Sequence, residues 1–128
     1  MNVIDSKALS GDPGDPSYFT GAVTLRKLAV GPEVAPNKIF RVEFAPEART
    51  SWHTHSGVQI LFVAEGRCRF QHWGGPVEEA GAGDTIFIPA GEKHWHGATP
   101  DGPMVHVALN IDLETEWLEP VSEKQYRG

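Results

Sequence analysis

Short apolar runs alternate with clusters of turn-forming residues along most of the chain. Within Lys38–Phe44, Phe40, Val42 and Phe44 share one parity and Arg41 and Glu43 share the other, as in a strand with one buried face. The same criteria predict strands over Ala22–Val30, Lys38–Phe44, Gln59–Glu65, Arg67–Trp73, Val77–Glu79, Thr85–Ile88 and Met104–Ile111. Many short strands at close spacing predict an all-β domain, built as a sandwich or a small barrel.

Turn residues separate the predicted strands and argue against long helices. The 128 residues include 14 Gly and 10 Pro, and pairs such as Gly31-Pro32 and the run Pro89–Gly91 fall between strands. We expect a peripheral N-terminal arm over residues 1–20, a barrel over 21–119 and a helical tail over 120–128. In the tail, Ser122 and Gln125 have the spacing of a helix capping box.

Charge and cysteine content exclude several classes of partner and site. A formal net charge of -6 opposes binding to nucleic acid or to an anionic membrane surface. The single cysteine, Cys68, excludes an intrachain disulfide and a multi-thiolate metal site. The longest apolar run, Ile60–Ala64, is too short to span a bilayer, and the N-terminus has no signal-peptide pattern, so we expect a cytoplasmic protein.

The six histidines are the most informative residues for function. On an extended strand His53, His55 and the later Gln59 share a parity and can point into one space. Neutral imidazole is a common metal ligand, so the His-x-His pair is a candidate ligand pair. Taken alone, it fits equally well two histidines hydrogen-bonded on a polar face.

A second cluster, Gly83–His96, contains a strand, a Pro-x-Gly turn and further histidines in order. With this cluster the chain resembles the cupin superfamily, whose members are small jelly-roll barrels, or double-stranded β-helices. The first cupin motif corresponds to His53, His55, Gln59 and Gly66, with Gln in place of the usual acid. The second corresponds to Gly83, Pro89, Gly91 and His94, while Ala98 stands where cupins usually carry Asn.

The resemblance implies that His53, His55, Gln59 and His94 bind one divalent metal per chain. It favours Mn, with Fe or Zn as alternatives. A neutral amide oxygen in place of a carboxylate would leave the ion more Lewis acidic. In an alternative interpretation, Gln59 only hydrogen-bonds a ligating histidine, and three histidines and water hold the ion.

Parity also predicts the surroundings of this site. His106 and Asn110 lie on one face of Met104–Ile111, and His96 shares the parity of His94, so these polar groups are expected near the metal. For His106 the alternative is a core histidine that is satisfied by a neighbour. Apolar walls of a substrate pocket are predicted at Phe40, Val42 and Leu61.

Among cupins, the chain is similar to the bacterial single-domain hydroxynitrile lyases. The matching residues are Tyr18–Gly21, Ala48–His55, Gln59, Gly91–Ala98, His106 and Gln125–Arg127. The similarity implies reversible cleavage of an aromatic cyanohydrin, such as mandelonitrile, to an aldehyde and cyanide. His106 would act as general base, His96 would receive or stabilise cyanide, and Thr50 would position the hydroxyl. The alternative is that His96 is the base and His106 takes the other role. Asn110 and Phe40 are expected to set substrate selectivity.

Two other functions fit the same residues. Many cupins are metal-dependent dioxygenases or related oxidoreductases, and a lyase differs from these in needing no oxygen. A non-catalytic barrel that binds a small molecule would hold metal loosely or not at all. In each case we expect a small-molecule ligand, and we expect a homodimer or homotetramer because one short helix cannot cover the apolar faces of the sheets.

Overall fold

The computed structural model describes residues 1, 3–29, 34 and 36–128, so the predicted end of a strand at Val30 and the turn at Gly31-Pro32 lie outside the described residues. Within these ranges the chain has a short 3-10 helix at Ser6–Ala8, thirteen strands and one α-helix. The elements are β1 (Asp12–Pro13), β2 (Phe19–Thr20), β3 (Val23–Ala29), β4 (Lys38–Phe44), β5 (Arg49–Thr50), β6 (His53–His55), β7 (Val58–Glu65), β8 (Arg67–His72), β9 (Glu78–Gly81), β10 (Thr85–Ile88), β11 (His94–Ala98), β12 (Met104–Ile111), β13 (Thr115–Trp117) and α1 (Glu123–Arg127).

The described strands form two antiparallel sheets. The first has the order β1-β3-β4-β12-β7-β10, and the second has the order β13-β6-β11-β5-β2, with β8 joining β11 to β9. Strands distant in sequence lie side by side, as β12 does between β4 and β7. This arrangement confirms the predicted all-β jelly-roll with a short C-terminal helix.

Three of the predicted strands are observed with the predicted bounds. These are Lys38–Phe44, Thr85–Ile88 and Met104–Ile111. The strand predicted over Val77–Glu79 lies instead at Glu78–Gly81, and the one predicted from Gln59 begins one residue earlier. On β4 the even positions point into the core, where Val42 and Phe44 are buried.

The N-terminal segment is more closely integrated than a peripheral arm. Asp12 and Pro13 pair with β3, and Phe19 and Thr20 pair with β5, so the segment adds a short strand to each sheet. Gly14 also donates its backbone N–H to Val23 O at 2.8 Å. Strands of two residues are too short to show alternation, and the Gly and Pro content of this segment predicts only loops.

The C-terminal tail packs against the outer side of β11 and against Trp52, the residue before β6. Trp52, Trp95, Val121 and Tyr126 form a buried cluster, and the Tyr126 hydroxyl donates to Ala98 O at 2.6 Å. The capping box predicted for the tail is confirmed, with both reciprocal hydrogen bonds present. In the described part of the chain, no helix combines the length and the apolar character needed to cross a membrane.

Cys68 belongs to the main core cluster. Its side chain is completely buried, and this burial raises the pKa of the thiol to about 12. Its strand, β8, pairs with β11, so that Cys68 lies opposite Ala98. The cysteine is therefore a packing residue held in its neutral thiol form.

Candidate metal centre

The two motif histidine clusters meet because β6 and β11 are neighbours in one sheet. His53 pairs directly with His94 in the antiparallel register, and their ring centroids are 4.2 Å apart. The ring of His55, two residues along β6, lies 4.9 Å from that of His53 and 5.0 Å from that of His94. The structure therefore brings together His53 and His55, which share a parity, and His94, which the cupin resemblance added to them.

The turn before β11 fixes the approach of His94. Gly91 has φ of 80°, in the left-handed region that favours glycine, and its N–H donates to His55 O at 2.8 Å. Gly97, further along β11, faces Ala48 O so closely that an added Cβ would lie 2.3 Å from this oxygen. Glycine at 91 thus allows the left-handed turn, and glycine at 97 allows β11 to approach the backbone at Ala48.

Backbone carbonyls orient two of the rings. His53 Nδ1 lies 2.8 Å from Ser51 O, and His94 Nδ1 lies 2.9 Å from Glu92 O. A carbonyl oxygen only accepts, so each Nδ1 carries the proton and each Nε2 keeps its lone pair. This is the tautomer that a metal-ligating histidine needs, with the second ring nitrogen bonded to a carbonyl.

His96 joins this cluster on the inner face of β11. Potential ligand atoms of His53, His94 and His96 all lie within 4.8 Å of one another. Three buried histidines can therefore hold a metal ion at this position. His53 and His94 belong both to this group and to the predicted ligand set, whereas His55 and His96 are alternatives for the third imidazole.

Gln59 lies on β7, in the other sheet, and the residue is 5% exposed. Its Nε2 donates to Asn110 Oδ1 at 2.8 Å. Its Oε1 is buried and makes no hydrogen bond to the described residues. The carbonyl oxygen of the amide is thus available as a ligand.

Several buried polar atoms at this site lack a hydrogen-bond partner within the described ranges. They are His55 Nδ1, Gln59 Oε1, His94 Nε2, His96 Nε2 and His106 Nδ1. Burying polar atoms without partners is costly, and a cation satisfies lone pairs that no donor reaches. Imidazole nitrogens with one amide oxygen suit Mn, Fe or Zn, so these residues fit the implied metal.

Burial keeps the clustered histidines neutral. Desolvation, reinforced by the neighbouring histidines, lowers the pKa of His53 and His96 well below the ordinary value. Burial likewise lowers the pKa of His55, His94 and His106 to about 4. At neutral pH each ring therefore has one unprotonated nitrogen, which is the form required of a ligand or a base.

His96 and His106 form a hydrogen-bonded pair beside the cluster. His106 Nε2 and His96 Nδ1 are 3.1 Å apart, and both side chains are almost fully buried. The ring of His106 also packs against Phe44, with centroids 5.1 Å apart. The structure therefore brings both predicted catalytic histidines to the site, where one hydrogen bond joins their rings.

An apolar cavity of about 190 Å³ opens beside these histidines. Of the predicted substrate contacts, Phe40, Val42 and Asn110 line it. Leu61 does not line it within the described residues, because it is fully buried and packs against Ile88 and Ala108. Leu61 is therefore a core residue: its parity identified the correct face of β7 but not its depth in the barrel.

Thr50 also lines the cavity, and its Oγ1 accepts the backbone N–H of His96 at 3.2 Å. Because the oxygen is the acceptor in this bond, its own O–H remains free to donate into the cavity.

An aromatic wall of this cavity was not predicted from the sequence. Trp117 lies opposite His53 in the register of β13 and β6, with ring centroids 4.7 Å apart. Tyr18 stacks on the Trp117 indole at 4.7 Å, and Phe19 lies against it at 5.6 Å. Strands β2 and β13 are too short to show periodicity. The one available signal was that Tyr18 and Phe19 belong to the residues that match the hydroxynitrile lyases.

Comparison with known proteins agrees with this geometry. The family profile described as "Cupin domain" matches residues 40–110. An (R)-mandelonitrile lyase from Granulicella tundricola is 41% identical over 127 residues, covering 97% of this chain and 95% of the relative.

Solved structures give the same result. A cupin-like protein from Thermotoga maritima has a TM-score of 0.87 and 37% identity, covering 91% of each chain. A polyketide cyclase from Streptomyces resistomycificus has a TM-score of 0.74 and 26% identity, covering 99% of this chain and 91% of the other. Since the profile spans more than half of the sequence and both cupin motifs meet at the histidine cluster, this chain belongs to the cupin family.

Proposed function

We propose that the protein is a metal-dependent hydroxynitrile lyase that reversibly cleaves an aromatic cyanohydrin to an aldehyde and hydrogen cyanide. The observation that carries the proposal is the hydrogen-bonded pair His96 and His106, buried beside the histidine cluster at an apolar cavity. This reaction needs one proton taken from a hydroxyl and one given to cyanide, without any change of oxidation state. The relative named (R)-mandelonitrile lyase supports the same reaction.

We propose His53, His55, Gln59 and His94 as the residues that hold one divalent ion, with Mn as the first choice. When bound, the ion supplies Lewis acidity that lowers the pKa of the substrate hydroxyl. We assign His96 to proton transfer rather than to the ligand set, because its Nδ1 is paired with His106 and the proposed reaction uses the proton on its Nε2. This assignment leaves His96 and His106 free for proton transfer.

The histidine pair can accept one proton and deliver another in the same cycle. In one tautomer, His106 Nε2–H donates to His96 Nδ1, which leaves His106 Nδ1 as a base and His96 Nε2–H as a donor. The hydroxyl proton passes to His106 Nδ1 as the carbon–carbon bond breaks and its electron pair leaves with cyanide. The shared proton moves from His106 Nε2 to His96 Nδ1, and His96 gives its Nε2 proton to cyanide, so that both rings end neutral.

The remaining walls hold the substrate. The free O–H of Thr50 donates to the substrate oxygen and orients it toward the base. Phe40, Val42 and Phe44 provide an apolar surface for the aromatic ring.

The test is benzaldehyde release from mandelonitrile by Mn-loaded protein, followed by absorbance under argon. We expect release above that of the metal-free protein, and a loss of about 10²- to 10⁴-fold in kcat for His106→Ala, the size usual for removal of a general base. Release no faster than that of metal-free protein contradicts the proposal. Turnover that requires oxygen favours the oxidoreductase alternative.

Metal content in a matched pair of variants tests the ligand set. We expect His55→Ala to lose metal and His96→Ala to retain it while losing activity. The reverse pattern would instead make His96 the third imidazole ligand.

A further inference from the structure

Ligation by Gln59 requires its amide to be held in one orientation. A carboxylate presents an oxygen whichever way it turns, whereas an amide presents either an oxygen that binds a cation or an NH2 group that repels it. When Oε1 faces the cluster, the NH2 group points away and needs an acceptor of its own, because the side chain is buried.

Asn110 supplies this acceptor. It lies directly opposite Gln59 in the register of β12 and β7, and the two side chains occupy the same inward face. Asn110 Oδ1 accepts from Gln59 Nε2 at 2.8 Å, while Gln59 Oε1 has no partner among the described residues. The hydrogen bond from Gln59 Nε2 to Asn110 thus leaves Gln59 Oε1 free to bind a cation.

We propose that Asn110 is a positioning residue that fixes Gln59 Oε1 toward the histidines and thereby sets the affinity for the metal. This role rests on the proposed metal site and differs from the selectivity role predicted from the sequence. Loss of the acceptor leaves the Gln59 NH2 group unpaired in the metal-bound state, so binding is weakened even though Asn110 does not ligate.

The experiment is titration of metal-free protein with Mn²⁺, in which electron paramagnetic resonance measures the free ion. Asn110→Leu removes the acceptor at similar size, and we expect it to raise the Kd for Mn²⁺ by about 10- to 100-fold. Asn110→Asp keeps an acceptor at the same place, and we expect its Kd to equal or fall below that of the wild type. Circular dichroism of the metal-free variants checks that each is folded.

A second background isolates the orientation of the amide. In Gln59→Glu the carboxylate has no NH2 group to satisfy, so adding Asn110→Leu should change the Kd by less than about threefold. An unchanged Kd for Asn110→Leu alone, or an equal increase in both backgrounds, overturns the role of Asn110. Failure of the wild-type protein to bind Mn²⁺ overturns the proposed metal site itself. This outcome is distinguishable from failure of the role of Asn110, in which the wild type binds Mn²⁺ and the variant binds it equally well. Neither measurement depends on lyase activity.

Discussion

Five histidines that lie neutral in the folded protein make it sensitive to acid. The pKa of His55, His94 and His106 is lowered to about 4, against an ordinary value of 6.5. Between these values the unfolded chain binds protons that the folded chain does not, so stability falls as the pH falls through this window. The three rings act in the same direction, as do His53 and His96.

We therefore expect the free energy of unfolding of metal-free protein to fall between about pH 6.5 and about pH 4, by up to about 1.4 kcal/mol per pH unit for each such histidine. Urea unfolding after chelation, at several pH values, measures this slope. His106→Phe should reduce the slope, whereas His72→Gln changes an exposed histidine outside the cluster and should not. A stability that stays flat across this range would contradict the prediction.

Residues of the site differ in how far the sequence predicts them. Parity was enough to place His53 and His55 on one face, because side chains on a strand alternate strictly. His94 could be added only through the resemblance to cupins, because it lies on another strand. Parity correctly predicts that Leu61 lies on the inward face of β7. It does not predict that Leu61 is buried in the core rather than exposed to the cavity, because this depends on which other strands pack against it. The choice between His55 and His96 as a ligand depends on ring orientation, which no pattern of residue types specifies.

The C-terminal tail links the outer side of the barrel to the site. Trp52 precedes His53, and Trp95 lies between His94 and His96. The two indoles pack with Val121 and Tyr126 of the tail, so this cluster lies behind the segments that carry the histidines. Trp52 Nε1 donates to Gln125 Oε1 at 3.2 Å, and Arg49 lies over the Tyr126 ring at 4.4 Å. Removal of the tail would expose two indoles and loosen β6 and β11.

Tyr126→Ala should lower the free energy of unfolding by about 3–5 kcal/mol, because it leaves a large cavity beneath the tail. Tyr126→Phe should lower it by about 1–2 kcal/mol, since it leaves Ala98 O without its donor. Thermal and urea unfolding measure both. Lys124→Ala, on the exposed side of α1, is the control and should change stability by less than about 0.5 kcal/mol. Equal effects of Tyr126→Ala and Lys124→Ala would show that the tail does not support the barrel.

Long strands were predictable because alternation accumulates over seven or eight residues, as in Lys38–Phe44 and Met104–Ile111. The capping box at Ser122 was predictable because it depends on two residues three apart. Strands β1, β2, β5 and β13 have two or three residues each, and their position is set by the partner strands rather than by their own pattern.

At the scale of the whole molecule, one part of the outer face of the six-stranded sheet is apolar, beside a charged part that contains Arg26, Arg41 and Glu43. Leu109 lies between Ile39 and Ile60, and Ile60 pairs in turn with Phe87, so that one row of apolar side chains crosses four strands. Phe62 and Phe87 are 45% and 63% exposed. Contiguous apolar patches of several hundred Å² commonly mark protein interfaces.

We expect this face to bind a second copy of the chain, in line with the homodimer or homotetramer predicted from the sequence. Light scattering coupled to size-exclusion chromatography should give a dimer or tetramer for the wild type and a smaller species for the double variant Phe62→Lys, Phe87→Lys. Trp73→Lys, at an exposed position in the turn after β8, should leave the assembly unchanged. A monomeric wild type would contradict this expectation.

The sealed position of Cys68 makes the protein convenient for site-specific labelling. A thiol that is fully buried and has a pKa of about 12 offers almost no thiolate to a maleimide or to a disulfide-forming reagent. A cysteine introduced on the exposed side of α1, for example Lys124→Cys, would therefore react selectively in the otherwise native sequence. Fluorophores or spin labels can then report on the tail while the native thiol stays in place, without a cysteine-free background.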